Sequence, residues 1–445
     1  MMYPPDKKKL LLQGQPDIPK NRKAFPLSAS CFIFEKSVFI PLLAAAAMLF
    51  PPIRDFFRDA GWRWLYMLLF SLLFSYGLTP FCIRLAKGTG VLDVPDQRKS
   101  HPDATPLLGG IAVFVPFVTA IIINGIFAAE VWGLLAASGL LFGLGIADDI
   151  REIPAGVKLL AQILAASLVI ISGTVLRVLP EHYDVIARAG NVFLTLFWII
   201  GITNAMNFSD GMDGMAAGLG GLISLFLGLA AMQFHQFFLA WMAAAMMGSC
   251  LGFLPHNFRI RGNARIFMGD AGSTVIGFIL ASLAVYGEWG QDNSFVALTS
   301  PLLIFWILIF DMIYITISRI ASGKVRNWKQ WIEYVGKDHL HHRISDVLGS
   351  KKKSVLFIML LTFCTGTGAL VLQDSNMYIA FLLLVQASLT VILISILEIR
   401  GRTLAKQGEA VRNRNAGAYG SAFPAKESEN ADKAIQQELL HETSE

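Results

Sequence analysis

The sequence predicts an all-α protein, a polytopic bundle of about eleven membrane-spanning helices. Hydrophobic residues make up 54% of the 445 residues and charged residues 16%, whereas a soluble domain carries about 25% charged residues. Apolar runs of about 17–25 residues, the length that crosses a bilayer, recur along most of the chain. Because lipid cannot satisfy exposed backbone groups, such runs form helices unless strands close into a barrel. We therefore expect one integral-membrane domain.

Eleven apolar segments predict the spanning helices, and a shorter segment is a twelfth candidate. The candidate, 38–53, ends in Pro51-Pro52 and follows a basic stretch at 1–36 that would otherwise lie outside. We expect three regions, an N-terminal extension at 1–61, a membrane domain at 62–399 and a polar, disordered or loosely helical tail at 400–445. The predicted spans are 62–82, 108–127, 131–147, 157–175, 191–206, 214–232, 236–255, 271–286, 295–318, 354–373 and 377–399.

The basic residues of the loops predict the orientation. Cytoplasmic loops are enriched in Lys and Arg, and the other side carries only Arg177 and Arg188 between spans. The basic side, which we take as cytoplasmic, carries Arg84, Lys87, Arg98, Lys99, Arg151, Arg259, Arg261, Arg265, Arg319, Lys324, Arg326, Lys329, Lys337, Arg343 and Lys351–Lys353.

Cysteine usage and net charge exclude several classes of function. The four cysteines are scattered through apolar segments, so neither a disulfide framework nor a cysteine metal site is expected. The formal charge of +5 gives no reason to invoke nucleic acid. No internal repeat is visible, although many secondary transporters are built from repeated halves.

Four polar clusters fall at cytoplasmic ends of predicted helices. Five carboxylates at mid-membrane would cost about 15 kcal/mol at roughly 3 kcal/mol each, more than the stability margin of a typical fold. They are therefore expected to line a hydrated cleft. The clusters are Asp148-Asp149, NFSDGMDG at 207–214 with Asn207, Asp210 and Asp213, FMGDAGS at 267–273 with Phe267 and Asp270, and HLHHR at 339–343 with His339, His341, His342 and Arg343 in the last cytoplasmic loop.

Each cluster also has a plainer interpretation. Asp148-Asp149 alone fits a solvated helix end as well as a metal or phosphate site. The i, i+3, i+6 spacing from Asn207 to Asp213 places three polar side chains on one helix face, where neighbouring glycines also suit helix packing. Asp270 fits a plain N-cap or a metal ligand beside a helix N-terminus that holds phosphate. The histidines fit a surface loop, a zinc site or phosphate donors, and the absence of nearby cysteine favours the last.

Together these motifs resemble the polyprenyl-phosphate N-acetylhexosamine-1-phosphate transferase family, also called glycosyltransferase family 4. The resemblance runs from about residue 62 to 399 and covers the four motifs in family order. The first cytoplasmic loop, Asp96-Gln97-Arg98-Lys99-Ser100-His101 followed by Leu108-Gly109-Gly110, is also similar. HLHHR and this loop resemble the N-acetylglucosamine-type branch, whereas the basic insert at 324–337 is longer than the family pattern.

The resemblance implies an enzyme in the bacterial cytoplasmic membrane with its active site facing the cytoplasm. It would transfer N-acetylhexosamine 1-phosphate, with N-acetylglucosamine as the sugar, from a UDP-sugar to undecaprenyl phosphate, releasing UMP as the first membrane step of envelope polysaccharide synthesis. The implied cofactor is Mg²⁺, with Mn²⁺ as a substitute; the implied partners are the two substrates and the bilayer, and a homodimer is left open.

The resemblance also implies a role for each candidate residue. Asp270 and Asn207 would ligate the metal, and Asp148 and Asp149 would contact the lipid phosphate or the metal, so that Asp148, Asp149 and Asp270 form the catalytic set. The substrate-binding set is Asp210 and Asp213 on the nucleotide side, Phe267 stacked on uracil, His339, His341, His342 and Arg343 on phosphate and sugar, and Arg98 and His101 in the first loop.

A membrane transporter or channel is the alternative function. Its charged residues should lie near the bilayer midplane on broken helices, whereas the clusters above lie at one face. Asp311, within an apolar segment, is the exception and sits about eight residues, or roughly 12 Å of helix, from Arg319. An inactive scaffold is the third interpretation, and the complete set of polar motifs disfavours it.

Overall fold

The computed structural model describes residues 36–94, 104–179, 184–289, 294–325, 327, 330, 336, 338–372 and 375–420. Within these ranges the chain forms an all-α bundle, as the sequence predicts, with one two-stranded antiparallel sheet. The helices are α1 Lys36–Met48, α2 Pro51–Asp59, α3 Arg63–Thr89, α4 Gly109–Ile123, α5 Ala129–Ile150, α6 Ala155–Ile171, α7 Asp184–Ser209, α8 Met215–Gln233, α9 Phe237–Asn257, α10 Gly269–Tyr286, α11 Ser294–Ile304, α12 Trp306–Ala321, α13 Leu340–Leu348, α14 Lys351–Leu370 and α15 Met377–Gly420.

The number of membrane spans differs from the predicted eleven. Eight of the described helices are long and apolar enough to cross a membrane, or up to ten spans if each of two bent helix pairs counts as one. Two predicted spans form only the shorter apolar helices α4 and α6, of 15 and 17 residues. The protein is therefore a multi-pass membrane protein.

Two predicted segments are bent. The segment 295–318, predicted as one helix, is broken at Phe305 between α11 and α12, whose axes differ by 82°. Pro301 occupies the last turn of α11, where it removes a backbone hydrogen bond. The candidate at 38–53 likewise becomes α1 and α2, which meet at 68° where Pro51 begins the second helix.

The core of the bundle lies along α8, α9 and α10. Most residues of these helices are buried, and α10 is the most buried of the eight long helices. Helix α9 packs between α3 and α8, while α10 packs against α5 and α7. Because α10 begins at Gly269, its N-terminus brings the third polar cluster into the centre of the bundle.

The short sheet joins the first cytoplasmic loop to the start of α10. Strands β1 (Leu92–Asp93) and β2 (Thr105–Pro106) pair antiparallel, with Leu92 opposite Pro106. The N–H of Phe267 donates to the Pro106 carbonyl at 2.8 Å, and the N–H of Gly109 donates to the Phe267 carbonyl at 3.1 Å. At the other end of the chain, α15 continues to Gly420, beyond the domain boundary predicted at 399.

Candidate active site

A cavity of about 960 Å³ lies where the ends of several helices meet. Seven of the sequence-predicted residues line it: Asp149, Asn207, Asp210, Asp213, Phe267, Asp270 and His342. Four others, namely Asp148, His339, His341 and Arg343, are outside the lining that the described residues form. Arg98 and His101 lie outside the described residues.

The side chain of Asp149, near the end of α5, binds the N-terminus of α10. Its Oδ1 accepts the backbone N–H of Asp270 at 2.8 Å, and its Oδ2 accepts that of Ala271 at 3.4 Å. Gly269 adopts φ +74°, and a Cβ there would lie 2.5 Å from Asp149 Oδ2. The backbone N–H groups at this helix start, which the sequence analysis considered for phosphate binding, therefore bind the carboxylate of Asp149. The positive end of the helix dipole stabilises the negative charge of either group.

A lysine joins Asp148 to Asp270. Lys158 Nζ, from the first turn of α6, lies 2.5 Å from Asp148 Oδ2 and 2.7 Å from Asp270 Oδ2. Asp148 Oδ1 also accepts the backbone N–H of Ile153 at 2.7 Å, which fixes the turn between α5 and α6. The Lys158 side chain stays about one third exposed. Sequence reasoning missed this residue, although a single charge at the start of an apolar helix nine positions after Asp149 was a usable signal.

Asn207 links the end of α7 to the start of α10. Its Nδ2 lies 3.0 Å from Ser273 Oγ and 3.3 Å from Asp270 Oδ1, with Thr274 Oγ1 at 3.4 Å. The predicted neighbourhood of Asn207 and Asp270 is therefore present, and α7 and α10 position both side chains from their facing ends.

Asp210 and Asp213 lie on a turn and not on the predicted helix face. Helix α7 ends at Ser209 and α8 begins at Met215. Gly214, which directly precedes α8, adopts φ +79°, a conformation that glycine readily allows. Asp213 Oδ2 accepts the N–H of Ala264 at 3.1 Å. Burial raises the pKa of Asp210 well above its ordinary value, and the negative charges of Asp270, Asp149 and Asp213 add to the rise.

Basic side chains line the same cavity as the carboxylates. They come from α3, from the loop after α9 and from the start of α14. Lys352 Nζ also donates to the carbonyls of Ile260 and Gly262 at 3.0 and 2.8 Å, which ties that loop to α14. The basic residues of the lining are Arg84, Lys87, Arg265, Lys351 and Lys352.

The histidine motif forms helix α13, although the sequence places it in a loop. His342 is the histidine of this motif that lines the cavity in the described part of the chain. His341 is 2% exposed, and a Cβ on Gly211 would lie 2.5 Å from its Nε2, so that the glycine makes room for the ring. Burial lowers the pKa of His341 well below its ordinary value, with His342 and His339 contributing.

His339 faces a carboxylate from α12. Its Nδ1 lies 3.0 Å from Asp311 Oδ2, and the backbone N–H of Leu340 donates to Asp311 Oδ1 at 2.7 Å. Asp311, the exception in the sequence pattern, thus contacts the histidine motif and belongs to the site. The bend at Phe305 sets the direction of the helix that carries it.

Arg343, expected from the sequence to bind substrate, does not line the cavity that the described residues form. Its guanidinium carbon lies 3.7 Å from the centre of the Tyr314 ring, and Nη1 lies 3.2 Å from Glu398 Oε2 of α15. Arg343 and Glu398 are 3% and 4% exposed. The arginine therefore links α13 to α15.

A second ion pair secures the segment before α13, and sequence reasoning missed it as a pair. Arg319 donates from Nε and Nη2 to the two carboxylate oxygens of Asp338 at 2.8 and 2.7 Å. Burial alone would raise the pKa of Asp338, but the bidentate guanidinium outweighs it and the pKa is lowered. Asp338 directly precedes His339, so this pair fixes the chain at the entrance to the histidine helix.

Comparison with known proteins finds a matching family model and several similar transferases. The model of the family described as glycosyl transferase family 4 matches residues 131–288. The chain is 31% identical over 320 residues to a Bacillus subtilis (strain 168) protein named "Probable undecaprenyl-phosphate N-acetylglucosaminyl 1-phosphate transferase", covering 71% of this chain and 86% of that one.

Two further relatives have related names. The decaprenyl-phosphate N-acetylglucosaminephosphotransferase of Mycobacterium tuberculosis (strain ATCC 25618 / H37Rv) is 31% identical, over 68% of this chain and 80% of its own. The undecaprenyl-phosphate alpha-N-acetylglucosaminyl 1-phosphate transferase of Escherichia coli (strain K12) is 27% identical, over 66% and 78%. The match over most of the length of these transferases, together with the match to the family model, shows that the chain is a membrane enzyme that belongs to glycosyl transferase family 4.

Proposed function

We propose that the protein transfers N-acetylglucosamine 1-phosphate from UDP-N-acetylglucosamine to undecaprenyl phosphate. An oxygen of the lipid phosphate attacks the phosphorus that carries the sugar, the bond to the bridging oxygen breaks, and UMP leaves with that oxygen. The product is a lipid-linked pyrophosphoryl sugar, the first membrane-bound intermediate of an envelope polysaccharide. One observation carries the proposal. Beside the cavity, Lys158 contacts both Asp148 and Asp270, and Asp270 also contacts Asn207.

The cavity suits a nucleotide sugar. Its volume of about 960 Å³ is at the upper end of the range of roughly 300–1,000 Å³ that is usual for small-ligand sites. Phe267, Asp210 and Asp213 line the cavity. We assign the Phe267 ring to stacking on the uracil and the two aspartates to the nucleotide side. The basic residues of the lining attract the pyrophosphate.

The donor atoms fit Mg²⁺ bound together with a substrate. This metal prefers oxygen ligands and is commonly held by one or two carboxylates plus phosphate oxygens. Asp148 and Asp270 direct one oxygen each at the same ammonium group, so two helices already converge anionic oxygens on one cation. In the described residues no cluster of three or more His, Cys, Asp or Glu side chains forms a self-sufficient metal cage. We assign the metal to Asp270 and Asn207; Mg²⁺, or Mn²⁺ in its place, would supply neutralising charge for the pyrophosphate.

The side chains around the cavity position and neutralise two anionic phosphates. Lys158, about one third exposed, holds Asp148 and Asp270 in place and supplies positive charge next to Asp270, which lines the cavity. His342 of α13 lines the cavity, and we assign it as a hydrogen-bond donor to phosphate or sugar. A general base is not decisive, because a phosphate monoester is largely dianionic near pH 7, so placement and charge neutralisation supply most of the catalysis.

The cell location follows from the same proposal. The basic loops at the cavity end of the bundle favour the cytoplasmic face of a bacterial inner membrane. A transporter or channel finds no support among the relatives, which are named transferases. The polar residues also cluster at helix ends, away from the middle of the bilayer.

The test is UMP release by purified protein in detergent or nanodiscs. We expect release to require both undecaprenyl phosphate and Mg²⁺, and Asp270→Asn to lower the rate by a factor on the order of 10³ because it removes a charge at the reacting phosphates. Asp59→Asn on α2, whose side chain is 73% exposed, is the matched control and keeps the wild-type rate. Full activity of Asp270→Asn would overturn the assignment.

A panel of UDP-sugars tests the donor. We expect UDP-N-acetylglucosamine to be used with the highest kcat/KM, ahead of UDP-N-acetylgalactosamine and UDP-N-acetylmuramoyl-pentapeptide. Preference for another sugar would keep the reaction class and change the substrate. Uptake of a UDP-sugar into proteoliposomes without UMP formation would instead favour the transporter.

A further inference from the structure

Asp311 is a buried carboxylate of α12 with no place in the reaction described above. It is 6% exposed, and both of its oxygens are engaged by the histidine motif. Oδ1 accepts the N–H of Leu340 at 2.7 Å, and Oδ2 lies 3.0 Å from His339 Nδ1. A buried carboxylate is costly unless it is hydrogen-bonded, and here all of its described partners belong to one short segment.

These two contacts make Asp311 the N-terminal cap of α13. His339 stands at the N-cap position of that helix and makes no side-chain cap hydrogen bond itself. A carboxylate from α12 supplies the missing acceptor, and its negative charge also suits the helix N-terminus. Because the same carboxylate faces His339 Nδ1, it also favours the tautomer in which Nδ1 carries the hydrogen and donates it to Asp311.

A row of aromatic rings connects Asp311 with the cavity. The His339 ring lies 5.8 Å from that of His341 with an interplanar angle of 13°, and the His341 ring lies 4.3 Å from that of His342. On the other side, His339 lies 5.4 Å from Phe208, the neighbour of Asn207. Packed rings have few alternative arrangements, so a shift of His339 moves its neighbours.

We propose that Asp311 is a positioning residue for donor binding: by capping α13 and orienting His339, it holds His342 at the cavity wall. This inference rests on the proposed function, since His342 must contact the UDP-sugar for its position to matter. Asp311 itself touches no substrate. Its effect passes through the helix start and the row of histidine rings.

The experiment measures KM for UDP-N-acetylglucosamine and for undecaprenyl phosphate separately. Asp311→Asn keeps an acceptor for Leu340 N–H and presents an amide to His339, whereas Asp311→Ala removes both contacts. We expect KM for the UDP-sugar to rise on the order of tenfold in Asp311→Asn, as for the loss of one charged hydrogen bond, and further in Asp311→Ala. KM for the lipid stays unchanged. A purely structural role would lower the active fraction, and hence apparent kcat, and leave both KM values unchanged.

A double-mutant cycle tests the route through His342. If Asp311 acts by placing that ring, Asp311→Asn raises KM little further in a His342→Ala background. Asp346→Asn is the matched control, an exposed carboxylate on the same helix, and keeps both wild-type KM values. Asp338→Asn, next to His339, breaks the Arg319 pair but leaves the Asp311 contacts. An equal rise of KM in that variant would show that general integrity of the segment is responsible and would overturn the inference.

The outcomes separate this inference from the proposed function. If the wild type releases no UMP from any UDP-sugar, the proposed function fails. The positioning role fails alone if the wild type is active and Asp311→Asn keeps the wild-type KM for the donor. It also fails alone if the effects of Asp311→Asn and His342→Ala on that KM are fully additive. Asp311→Asn is close in size and shape to the native side chain, so the test stands even if Asp311→Ala does not fold.

Discussion

At the scale of single residues, one lysine provides the counter-charge for two carboxylates of the site. Asp148 and Asp270 share the ammonium group of Lys158, while Asp149 is held by backbone N–H groups of α10. Removing the Lys158 cation would leave the negative charges of Asp148 and Asp270 close together and without a counter-charge. Unpaired charge is costly at the edge of the bilayer. Lys158 therefore supports both the shape of the site and its electrostatic balance.

Substitution of Lys158 is accordingly predicted to abolish most activity. Lys158→Met keeps the apolar stem but leaves Asp148 and Asp270 without their shared cation. We expect the rate of UMP release at saturating substrates to fall on the order of 10²–10³-fold, the usual loss when one electrostatic contact to a reacting group is removed.

The control is Arg151→Met, which removes a basic residue with an exposed side chain from the turn between α5 and α6. It should stay within about twofold of the wild type, because an exposed charge contributes little. A Lys158→Met enzyme as active as this control would show that the lysine has only a packing role.

Four residues of the site region show why some positions could be predicted from the sequence and others could not. Asn207 and Asp270 approach each other as expected, because apolar runs locate the helix ends that carry them. Lys158 was missed because a lysine at a cytoplasmic helix start also obeys the positive-inside rule. Arg343 is next to His342 in the sequence but does not line the cavity with it, because consecutive residues of a helix point about 100° apart.

At the scale of elements, the apolar runs predicted nearly all helices but not their bends or tertiary fastening. The helical form of the histidine motif depends on packing against neighbouring helices, which periodicity does not report. The contact between Arg343 of α13 and Glu398 of α15 is likewise a pairing of distant segments. This pair holds the helix that presents His342.

The Arg343–Glu398 pair gives a prediction about stability. Both side chains are almost fully buried, with exposed fractions of 4% and 3%, so Glu398→Ala leaves an arginine without its counter-charge. Breaking a buried pair in this way costs about 3–5 kcal/mol. We expect a lower unfolding temperature in detergent for Glu398→Ala and for Arg343→Met alone.

The double variant distinguishes an ion pair from two independent contacts. Arg343→Met with Glu398→Met replaces both charges by apolar side chains, and this exchange is often neutral or stabilising for a buried pair. We expect its unfolding temperature to return close to that of the wild type and its KM for the UDP-sugar to stay near the wild-type value. Loss of donor affinity in the double variant at full stability would instead support the original assignment of Arg343 to substrate binding.

At the scale of the whole molecule, the fold brings one end of many helices to a common cavity. The C-terminal ends of α3, α5, α7 and α9 and the N-terminal ends of α10 and α14 contribute its lining, together with the turn between α7 and α8. Sequence reasoning predicted this one-sided arrangement from the loop charges and the positions of the clusters. It could not predict the cavity itself, because volume depends on how α9 and α10 pack at the centre of the bundle.

The orientation of the molecule can be tested by cysteine labelling. Ile260, 84% exposed in the loop after α9, lies at the cavity end, and Glu288 is an exposed residue just beyond the opposite end of α10. In a background without the four native cysteines, Ile260→Cys should react with a membrane-impermeant maleimide in inside-out vesicles and be protected in right-side-out vesicles. Glu288→Cys should show the reverse, because the basic loops are retained in the cytoplasm. Labelling of Ile260→Cys from the outside would invert the topology and separate the active site from cytoplasmic UDP-sugars, whereas UMP release by both variants controls for their folding.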